Sequence, residues 1–542
     1  MTSIRTHPLS ILVALIVAVL GSRPASAEEA VDWEMVGRIR NEGFSSSQVM
    51  PVMEHLTDRI GARLTGSPAL REANEWTRSQ LEAWGLRNPR LEPWGPFGRG
   101  WSFSRASLSL VAPRALPLFA LPQAWTPGTE GSVRGRAIRV SLDSESDLET
   151  HRGQLAGMIL LLDDAQGISP GERPYFQRRS SADLEELEEY PVPAARREPD
   201  DGFRRRMMQR ARFRPLLHQF LADEGVLAVL RPSPRNDAIV RVGGGGSREV
   251  DESAGVTDLV VAAEHYNLLH RLLAAGEEVE LEVEVAARFH DDDPMAYNTV
   301  AEIPGTDLAD QVVMLGAHLD SWHAGTGATD NAAGCTVAME AVRILQALGV
   351  QPRRTIRVAL WTGEEQGLLG SRAYVAEHFA SRPEPESEEE RRMPRFLRRD
   401  RGPLTLKPGH SKLAAYFNLD NGSGRIRGIY TQSNAAVVPI FEAWLRPFHD
   451  LGADTVTMRN TGGTDHLPFD GVGLPGFQFI QDPLDYSSRT HHTNLDVLDR
   501  VQRDDLVQAS IVMASFVYHA AMRDELLPRK PLPNEQGDED ED

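Results

Sequence analysis

The sequence contains a single cysteine and an excess of acidic residues. Because Cys335 is the only cysteine among 542 residues, no intrachain disulfide can form, and a metal site built from cysteine is not expected. We expect Cys335 itself to be a buried, unreactive thiol. The 58 Lys and Arg are outnumbered by 78 Asp and Glu, which gives a formal net charge of −20 at pH 7. This charge argues against nucleic acid or an anionic membrane surface as a partner.

The N-terminal segment lacks an apolar run long enough to cross a membrane. Residues 9–20 are almost purely apolar, but a spanning helix needs roughly 20 such residues. Arg5 precedes this run, and the small residues Ala25, Ser26 and Ala27 follow it. This pattern predicts a signal peptide over residues 1–27, a secreted or periplasmic protein, and no stable membrane insertion after cleavage. The alternative is a single-pass anchor.

The length and composition predict more than one folded unit. A chain of 542 residues with 41% hydrophobic content is too long for one ordinary domain and can bury two sizeable cores. Residues 33–84 have a helical pattern, interrupted by a loop at 61–67. Short apolar runs separated by turns predict a β-rich inserted domain over residues 110–288. Within it, we interpret the highly charged residues 167–214 as a solvated surface excursion.

From Tyr297 onward, strands alternate with helices. Continuous apolar runs are typical of strands buried on both faces, and they occur at residues 312–317, 355–361, 413–419 and 477–480. Apolar residues at helical spacing predict a helix over 331–348. The alternation predicts an α/β fold in which a mixed, largely parallel sheet is sandwiched by helices.

These patterns give the domain organisation. Residues 28–109 and 289–528 are assigned to one domain, which the insert at 110–288 interrupts. A surface loop rich in Pro, Glu and Arg is expected at 381–412, and an acidic disordered tail at 529–542.

Five side chains of metal-binding type follow one another through the second half of the chain. Each lies in a short polar motif, and three of them come directly after a predicted strand. Because ligands gather beyond the carboxyl ends of strands in open α/β sheets, we expect one site. Two imidazoles and three carboxylates suit two Zn²⁺ ions that share one carboxylate and leave a position for water. The five residues are His318, Asp330, Glu365, Asp420 and His492.

Two adjacent acids in this set need different roles. A carboxylate bound to zinc has its lone pairs committed, so we assign Glu365 as a ligand and Glu364 as general base and then acid. The alternative is that both are surface acids at the start of a helix, where the helix dipole favours them.

Other polar residues accompany the expected ligands. Asp320 lies two residues after His318 and is placed to orient that imidazole, and Asp496 is assigned the same role toward His492. His491 is free to donate a hydrogen bond to an oxyanion, or it is a structural or an exposed histidine.

A further polar pair lies close to a predicted strand. Asp465 and His466 are interpreted either as lining for a substrate pocket or as structural support behind the metal ligands.

Together these motifs resemble the M28 family of zinc aminopeptidases, in particular carboxypeptidase Q-like peptidases and their bacterial relatives. The resemblance covers residues 295–525. The matching motifs are His318-Leu319-Asp320-Ser321, Gly327-Ala328-Thr329-Asp330-Asn331-Ala332-Ala333-Gly334, Thr362-Gly363-Glu364-Glu365-Gln366-Gly367, Asn418-Leu419-Asp420 and His491-His492-Thr493.

The resemblance implies a role for each ligand. It implies that Asp330 bridges two zinc ions, that His318 and Asp420 complete one of them, and that Glu365 and His492 complete the other. It also implies that the insert is a protease-associated domain. Some relatives carry a tyrosine just before the last ligand, where this chain has His491, so the oxyanion donor is the point at which the chain departs from the pattern.

The implied function is that of a dizinc exopeptidase acting on the N-terminal peptide bond of short peptides or dipeptides. Two alternatives use the same fold, namely a glutaminyl cyclase with one zinc and a non-catalytic receptor or scaffold. Retention of all five ligands and of Glu364 argues against both. The sequence does not decide between a monomer and a homodimer.

Overall fold

The computed structural model describes residues 29–168, 171, 174–190, 201–387, 390–391, 393, 398 and 402–533. Two eight-stranded sheets organise these residues. The predicted signal peptide, most of the predicted acidic tail and part of the predicted loop at 381–412 lie outside the described residues.

The first sheet is mixed and contains the strands that precede the expected metal ligands. Its order is β1-β10-β12-β11-β15-β18-β16-β17, and the central strands β12, β11, β15 and β18 run parallel. This arrangement confirms the predicted α/β class with a mixed, largely parallel sheet. The strands are β1 (Arg87–Trp94), β10 (Ala296–Ile303), β11 (Leu308–His318), β12 (Arg354–Trp361), β15 (Leu413–Asn418), β16 (Ile426–Tyr430), β17 (Thr455–Thr457) and β18 (Gly476–Gln481).

Helices cover both faces of the first sheet because successive residues of its strands point to opposite sides. Val313 and Leu315 of β11 face one apolar core, whereas Met314 faces another. The helices packed on the first core are Trp33–Ser46, Val49–Glu54, Pro68–Ala83, Ala333–Ala347, Val438–Leu445 and Arg503–Met522, and those on the second are Leu369–His378 and His466–Asp470. Within the described part of the chain, Arg503–Met522 is the one helix long and apolar enough to cross a membrane, and 94% of that stretch is buried in the protein.

The second sheet lies within the segment between β1 and β10. Its order is β3-β2-β9-β5-β6-β7-β8-β4, and Gly100 pairs with His290 at its boundary with the rest of the chain. It has an apolar core of its own. The strands are β2 (Gly100–Ala112), β3 (Leu116–Leu118), β4 (Ala120–Pro122), β5 (Val133–Arg139), β6 (Met158–Leu161), β7 (Ala228–Pro232), β8 (Asp258–Val261) and β9 (Glu280–His290).

The segment that forms the second sheet also contains helices, which its β-type sequence pattern did not indicate. They are Glu145–His151, Ser181–Glu188, Asp201–Asp223 and Ala263–Ala274. Asp201–Asp223 is dense in arginine, so its few apolar positions do not show a clear helical period. The inserted segment is therefore a mixed α/β unit in which a sheet and helices pack together.

Residues 174–190 form a strap that contacts the first sheet and the loop after it. Most of these residues are exposed, as predicted for a surface excursion, but specific contacts hold the strap in place. Gln177 pairs with Leu484, and helix Ser181–Glu188 packs against β17. Arg178 forms ion pairs at 2.9 Å with Asp482 and at 2.8 Å with Asp505, two carboxylates that are almost fully buried. The strap thus packs on the segment that leads into His491 and His492.

The remaining short elements join these units. Of the predicted loop at 381–412, the described ends form a two-stranded pair between β13 (Ala380–Ser381) and β14 (Thr405–Leu406). Single helical turns occur at His55–Ile60, Ala328–Ala332, His410–Lys412, Ala435–Val437, Arg446–Leu451, Tyr486–Thr490 and Leu498–Arg500.

Candidate metal centre

The structure brings the five expected ligands together at one edge of the first sheet. Parallel strands β11, β12 and β15 end side by side, so the residues that follow them meet. His318 is the last residue of β11, Glu365 follows β12, and Asp420 follows β15. Asp330 and His492 reach the same point from two helical-turn segments, Ala328–Ala332 and the end of Tyr486–Thr490.

The carboxylate of Asp330 lies between two histidines. Its Oδ1 is 3.2 Å from His318 Nε2, and its Oδ2 is 3.2 Å from His492 Nε2. Asp420 Oδ1 lies 3.3 Å from His318 Nε2, and Glu365 Oε2 lies 3.0 Å from His492 Nε2. The side chains therefore form two groups that share Asp330, each with one imidazole and one further carboxylate.

Asp496 positions the turn that carries Asp330. It accepts hydrogen bonds from the backbone N–H of Thr329 at 2.6 Å and of Asp330 at 3.2 Å, and from the Thr329 hydroxyl at 2.8 Å. The prediction that Asp496 orients His492 is wrong in this respect. The neighbour of His492 Nδ1 is instead Arg241, whose guanidinium lies 3.3 Å away.

The carboxylate of Asp320 forms hydrogen bonds with the backbone of Glu364 and Glu365 and lies farther from the ring of His318. Its carboxylate accepts hydrogen bonds from the backbone N–H groups of Glu364 and Glu365 at 3.3 and 3.2 Å, and from the Thr65 hydroxyl at 3.0 Å. The Nδ1 of His318 lies 3.0 Å from the backbone carbonyl of Asp320 and 3.7 Å from its carboxylate. The backbone carbonyl thus fixes the His318 tautomer, leaving Nε2 to face Asp330 and Asp420.

Glu364 is buried beside the two groups without belonging to either. Its Oε2 lies 3.9 Å from His318 Nε2. Burial, together with the charges of Asp420 and Asp465, raises the pKa of Glu364 well above its usual range. A carboxyl group in this position is suited to accept and return a proton.

His491 lies on the open side of the centre, next to Tyr486. Its Nε2 is 3.9 Å from Asp330 Oδ2, and its ring contacts those of His492 and Tyr486 with centroid distances of 3.8 and 4.9 Å. Burial and the charge of His492 lower the pKa of His491 to about 4, so its ring is neutral at neutral pH. Its side chain is 32% exposed, which leaves room for a substrate atom.

Asp465 and His466 are fully buried and form hydrogen bonds with residues outside the set of expected ligands. Asp465 accepts a hydrogen bond from the Ser371 hydroxyl at 2.5 Å, and its charge acts on Glu364. The Nε2 of His466 faces Gln432 and the carbonyl of Thr461. Of the two interpretations, this placement favours structural support over contact with substrate.

Three residues near the centre had no assigned role in the sequence. Arg63 is fully buried and donates to the carbonyls of Leu319, Thr326 and Gly327, which holds the loops on either side of Asp330. Tyr486 contacts His491, and Arg241 approaches the expected ligand His492 from another segment. No local signal pointed to them, since each contact depends on the tertiary fold.

Cys335 lies on helix Ala333–Ala347 and takes no part in the centre. Its thiol is fully buried and donates to the carbonyl of His318 at 3.0 Å. Burial raises the pKa of the Cys335 thiol to about 12, as expected for an unreactive thiol.

The donor set fits zinc. Among the described residues, Asp330 Oδ2 and Glu365 Oε1 are buried carboxylate oxygens without a hydrogen-bond donor. Burial and the charge of Asp330 raise the pKa of Glu365 to about 7, which reflects carboxylates crowded together without a compensating cation. Imidazole nitrogen and carboxylate oxygen are zinc ligands, and a dication here would satisfy the free oxygens and relieve the repulsion. Two overlapping sets have ligand atoms that all lie within 4.8 Å of one another, namely His318, Asp330 and Glu365, and Asp330, His491 and His492. Both sets contain Asp330, the residue that the two imidazole–carboxylate pairs share.

Comparison with known proteins agrees with this geometry. Residues 298–517 match the model of peptidase family M28. The chain carries a peptidase family M28 domain. Mouse carboxypeptidase Q is 25% identical over 505 residues, which cover 93% of this chain and 90% of the mouse protein. Aminopeptidase YwaD of Bacillus subtilis is 26% identical over 215 residues, 39% of this chain and 42% of that protein.

Solved structures share the fold over most of the chain. A peptidase M28 precursor from Shewanella amazonensis has a TM-score of 0.62 at 23% identity, covering 92% of this chain and 98% of its own. A zinc aminopeptidase from Bacillus subtilis has a TM-score of 0.53 at 17% identity, covering 89% and 97%. The fold of this chain is thus shared by these proteins over most of its length.

Proposed function

We propose that the chain is an exported dizinc exopeptidase that hydrolyses the N-terminal peptide bond of dipeptides or short peptides. The observation that carries this proposal is the placement of Asp330, whose two oxygens face two separate imidazole–carboxylate pairs. Export rests on the signal-peptide pattern at residues 1–27. The names of the relatives, a carboxypeptidase and aminopeptidases, support a peptide substrate.

In this proposal, the ligand roles follow the two groups. His318 and Asp420 would hold one zinc ion, Glu365 and His492 would hold the other, and Asp330 would be shared between them. When bound, the zinc ions supply Lewis acidity that polarises the scissile carbonyl and lowers the pKa of water.

Glu364 carries the proton in the reaction. It takes a proton from the attacking water and delivers it to the amine of the leaving group, which fits a buried carboxyl beside the ligands. The carboxylate of Asp320 accepts hydrogen bonds from the backbone N–H groups of Glu364 and Glu365. These bonds fix the backbone of the pair, so that each side chain can serve its own role.

His491 donates the hydrogen bond to the developing oxyanion. Its neutral ring keeps one N–H, and it is the more exposed of the two adjacent histidines. Tyr486 is the rival donor, because burial and the charges of Asp330 and Asp420 raise the pKa of Tyr486 and keep its hydroxyl protonated. We expect His491→Gln to lower kcat strongly. We expect Tyr486→Phe to keep most of kcat.

The inserted unit controls access in this proposal. It corresponds to the protease-associated-like domain assigned to residues 110–288, although its sheet extends to Gly100 and His290. The M28 domain, assigned to residues 28–109 and 289–528, accordingly lies outside residues 100–290. None of the five ligands comes from the insert, yet its Arg241 lies beside His492.

A substrate panel tests the function. The zinc-loaded protein is incubated with alanyl-alanine, alanyl p-nitroanilide, N-acetylalanyl-alanine and N-terminal glutaminyl peptides, and the products are identified by mass. Release of the N-terminal residue from the substrates with a free amine is expected, because the excess of carboxylates holds the ammonium. Cleavage of the acetylated substrate, or cyclisation of glutamine without hydrolysis, contradicts the proposal.

A further inference from the structure

Arg241 belongs to the inserted unit but lies at the metal centre of the M28 domain. Residues 240–242 pair with the ligand segment, since Arg241 forms an antiparallel bridge with Thr493 and the N–H of Val242 donates to the carbonyl of His492 at 3.2 Å. Val240 and Asn494 exchange two further hydrogen bonds, of 2.7 and 3.1 Å. This pairing fixes the position of Arg241 relative to His492.

The guanidinium of Arg241 has no carboxylate partner. In the described part of the chain, no Asp or Glu lies within ion-pair distance of Arg241, and its side-chain contact is His492 Nδ1 at 3.3 Å. In a chain with 78 acidic and 58 basic residues, an unpaired guanidinium beside a cluster of carboxylates is unusual. It is held there by backbone pairing and not by a countercharge.

Occupation of the metal centre weakens even this contact. A histidine that binds a metal through Nε2 carries its proton on Nδ1, so it becomes a donor at that atom. The guanidinium is a donor only, and two donors cannot form a hydrogen bond. In the metal-loaded protein, therefore, Arg241 needs another acceptor.

A second arginine of the inserted unit, Arg235, lies six residues before Arg241 in the chain. Within the described residues, Arg235 also has no ion-pair partner. Through Arg241, the inserted unit thus brings a positive charge to His492, whose side chain, like that of His491, is partly exposed.

We propose that Arg241 binds the α-carboxylate of a dipeptide whose scissile carbonyl lies at the metal centre. Arginine recognises carboxylates through two parallel hydrogen bonds. One extended residue spans about 3.5 Å, so the carboxylate of a dipeptide lies one residue beyond the scissile carbonyl, within reach of a guanidinium that contacts a ligand histidine. This inference rests on the proposed function and makes the protein a dipeptidase in preference to a general aminopeptidase.

The test compares alanyl-alanine with alanyl-alanine amide, which differ only in the terminal charge. The wild type is expected to favour the free acid in kcat/KM by about 10- to 100-fold, the effect of one hydrogen-bonded charge pair. In Arg241→Gln this ratio falls toward one, whereas in Arg134→Gln, a surface arginine of the second sheet paired with Glu282, it is unchanged. The ratio is insensitive to a general loss of active protein.

A binding measurement separates recognition from catalysis. Calorimetry on the zinc-loaded Glu364→Gln variant should show tighter binding of alanyl-alanine than of its amide, and the double variant with Arg241→Gln should lose the difference at equal zinc content. A wild type that cleaves acid and amide equally overturns the assignment, and so does a preference that survives Arg241→Gln. A wild type that cleaves neither substrate contradicts the proposed function itself.

Discussion

Asp496 accepts the backbone N–H of Asp330 at 3.2 Å, although 166 residues separate the two in sequence. With the hydrogen bonds from Thr329, this contact fixes the turn that aims the Asp330 carboxylate between His318 and His492. The position of the shared carboxylate therefore depends on a residue that touches neither histidine.

Replacement of Asp496 should weaken metal binding without removing a ligand. We expect Asp496→Ala to lower zinc affinity by about 10- to 100-fold, the usual effect of losing a residue that orients a ligand. Competition with a chromophoric chelator measures the affinity. Asp499→Asn, an exposed neighbour, is the control. Unchanged affinity in Asp496→Ala would show that the turn holds its shape alone.

Glu364→Gln tests the proton carrier. The amide keeps the shape of the carboxyl but cannot accept the proton, so turnover should fall by roughly two to four orders of magnitude while zinc content stays near that of the wild type. Steady-state kinetics and elemental analysis of the same preparation give both values. Glu377→Gln, on the outside of helix Leu369–His378, should retain activity. Substantial turnover by Glu364→Gln would remove this residue from the mechanism.

The buried Asp465 should make the zinc-free protein less stable as the pH rises. Burial raises the pKa of Asp465 from 3.8 to about 7, so the folded state keeps a proton that the unfolded state has released. The protonated Asp465 makes its full contribution to the free energy of unfolding below about pH 4. This contribution is lost as the pH approaches 7, which lowers the free energy of unfolding by an amount on the order of 1–4 kcal/mol. Urea unfolding of chelator-treated protein at several pH values measures it. Asp465→Asn should flatten this dependence, and the exposed Asp504→Asn should not; equal slopes in all three proteins would contradict the assignment.

The strap should contribute to stability through Arg178. Loss of its charge leaves Asp482 with Arg427 and Asp505 with a weaker contact to Arg425, so Arg178→Gln is expected to cost about 1–3 kcal/mol. The matched control is Arg152→Gln, whose partner Glu149 is on the surface, and whose loss should change stability little. Thermal unfolding compares the two variants. Equal melting temperatures would mean that the strap is not bound as described.

Sequence patterns were sufficient for the four central strands of the first sheet, and the five expected ligands that these patterns indicated lie together in the structure. Strands such as β11 and β12 are buried on both faces, so their sequences are continuous apolar runs, and the polar residues after them mark the strand ends. The helices of the insert were not foreseen, because Asp201–Asp223 has too much charge to show a helical period. The contacts that hold the strap were not foreseen either, because Arg178 pairs with buried carboxylates more than 300 residues along the chain.

The supporting residues of the centre were harder to predict. Arg63 reaches loops more than 250 residues away, and Arg241 reaches His492 across 251 residues. Nothing in the local sequence specifies such contacts. Asp496 was recognised as part of the site, but its partner was misassigned because proximity in sequence favoured His492 over Asp330.

The metal content of the purified protein tests the central claim most directly. The protein is saturated with zinc, freed of excess metal by gel filtration, and analysed by inductively coupled plasma mass spectrometry alongside Asp330→Ala. We predict two zinc ions per chain for the wild type and a marked loss of both in the variant. One zinc per chain in the wild type under excess zinc, or full zinc content in Asp330→Ala, would contradict a dizinc centre that shares Asp330.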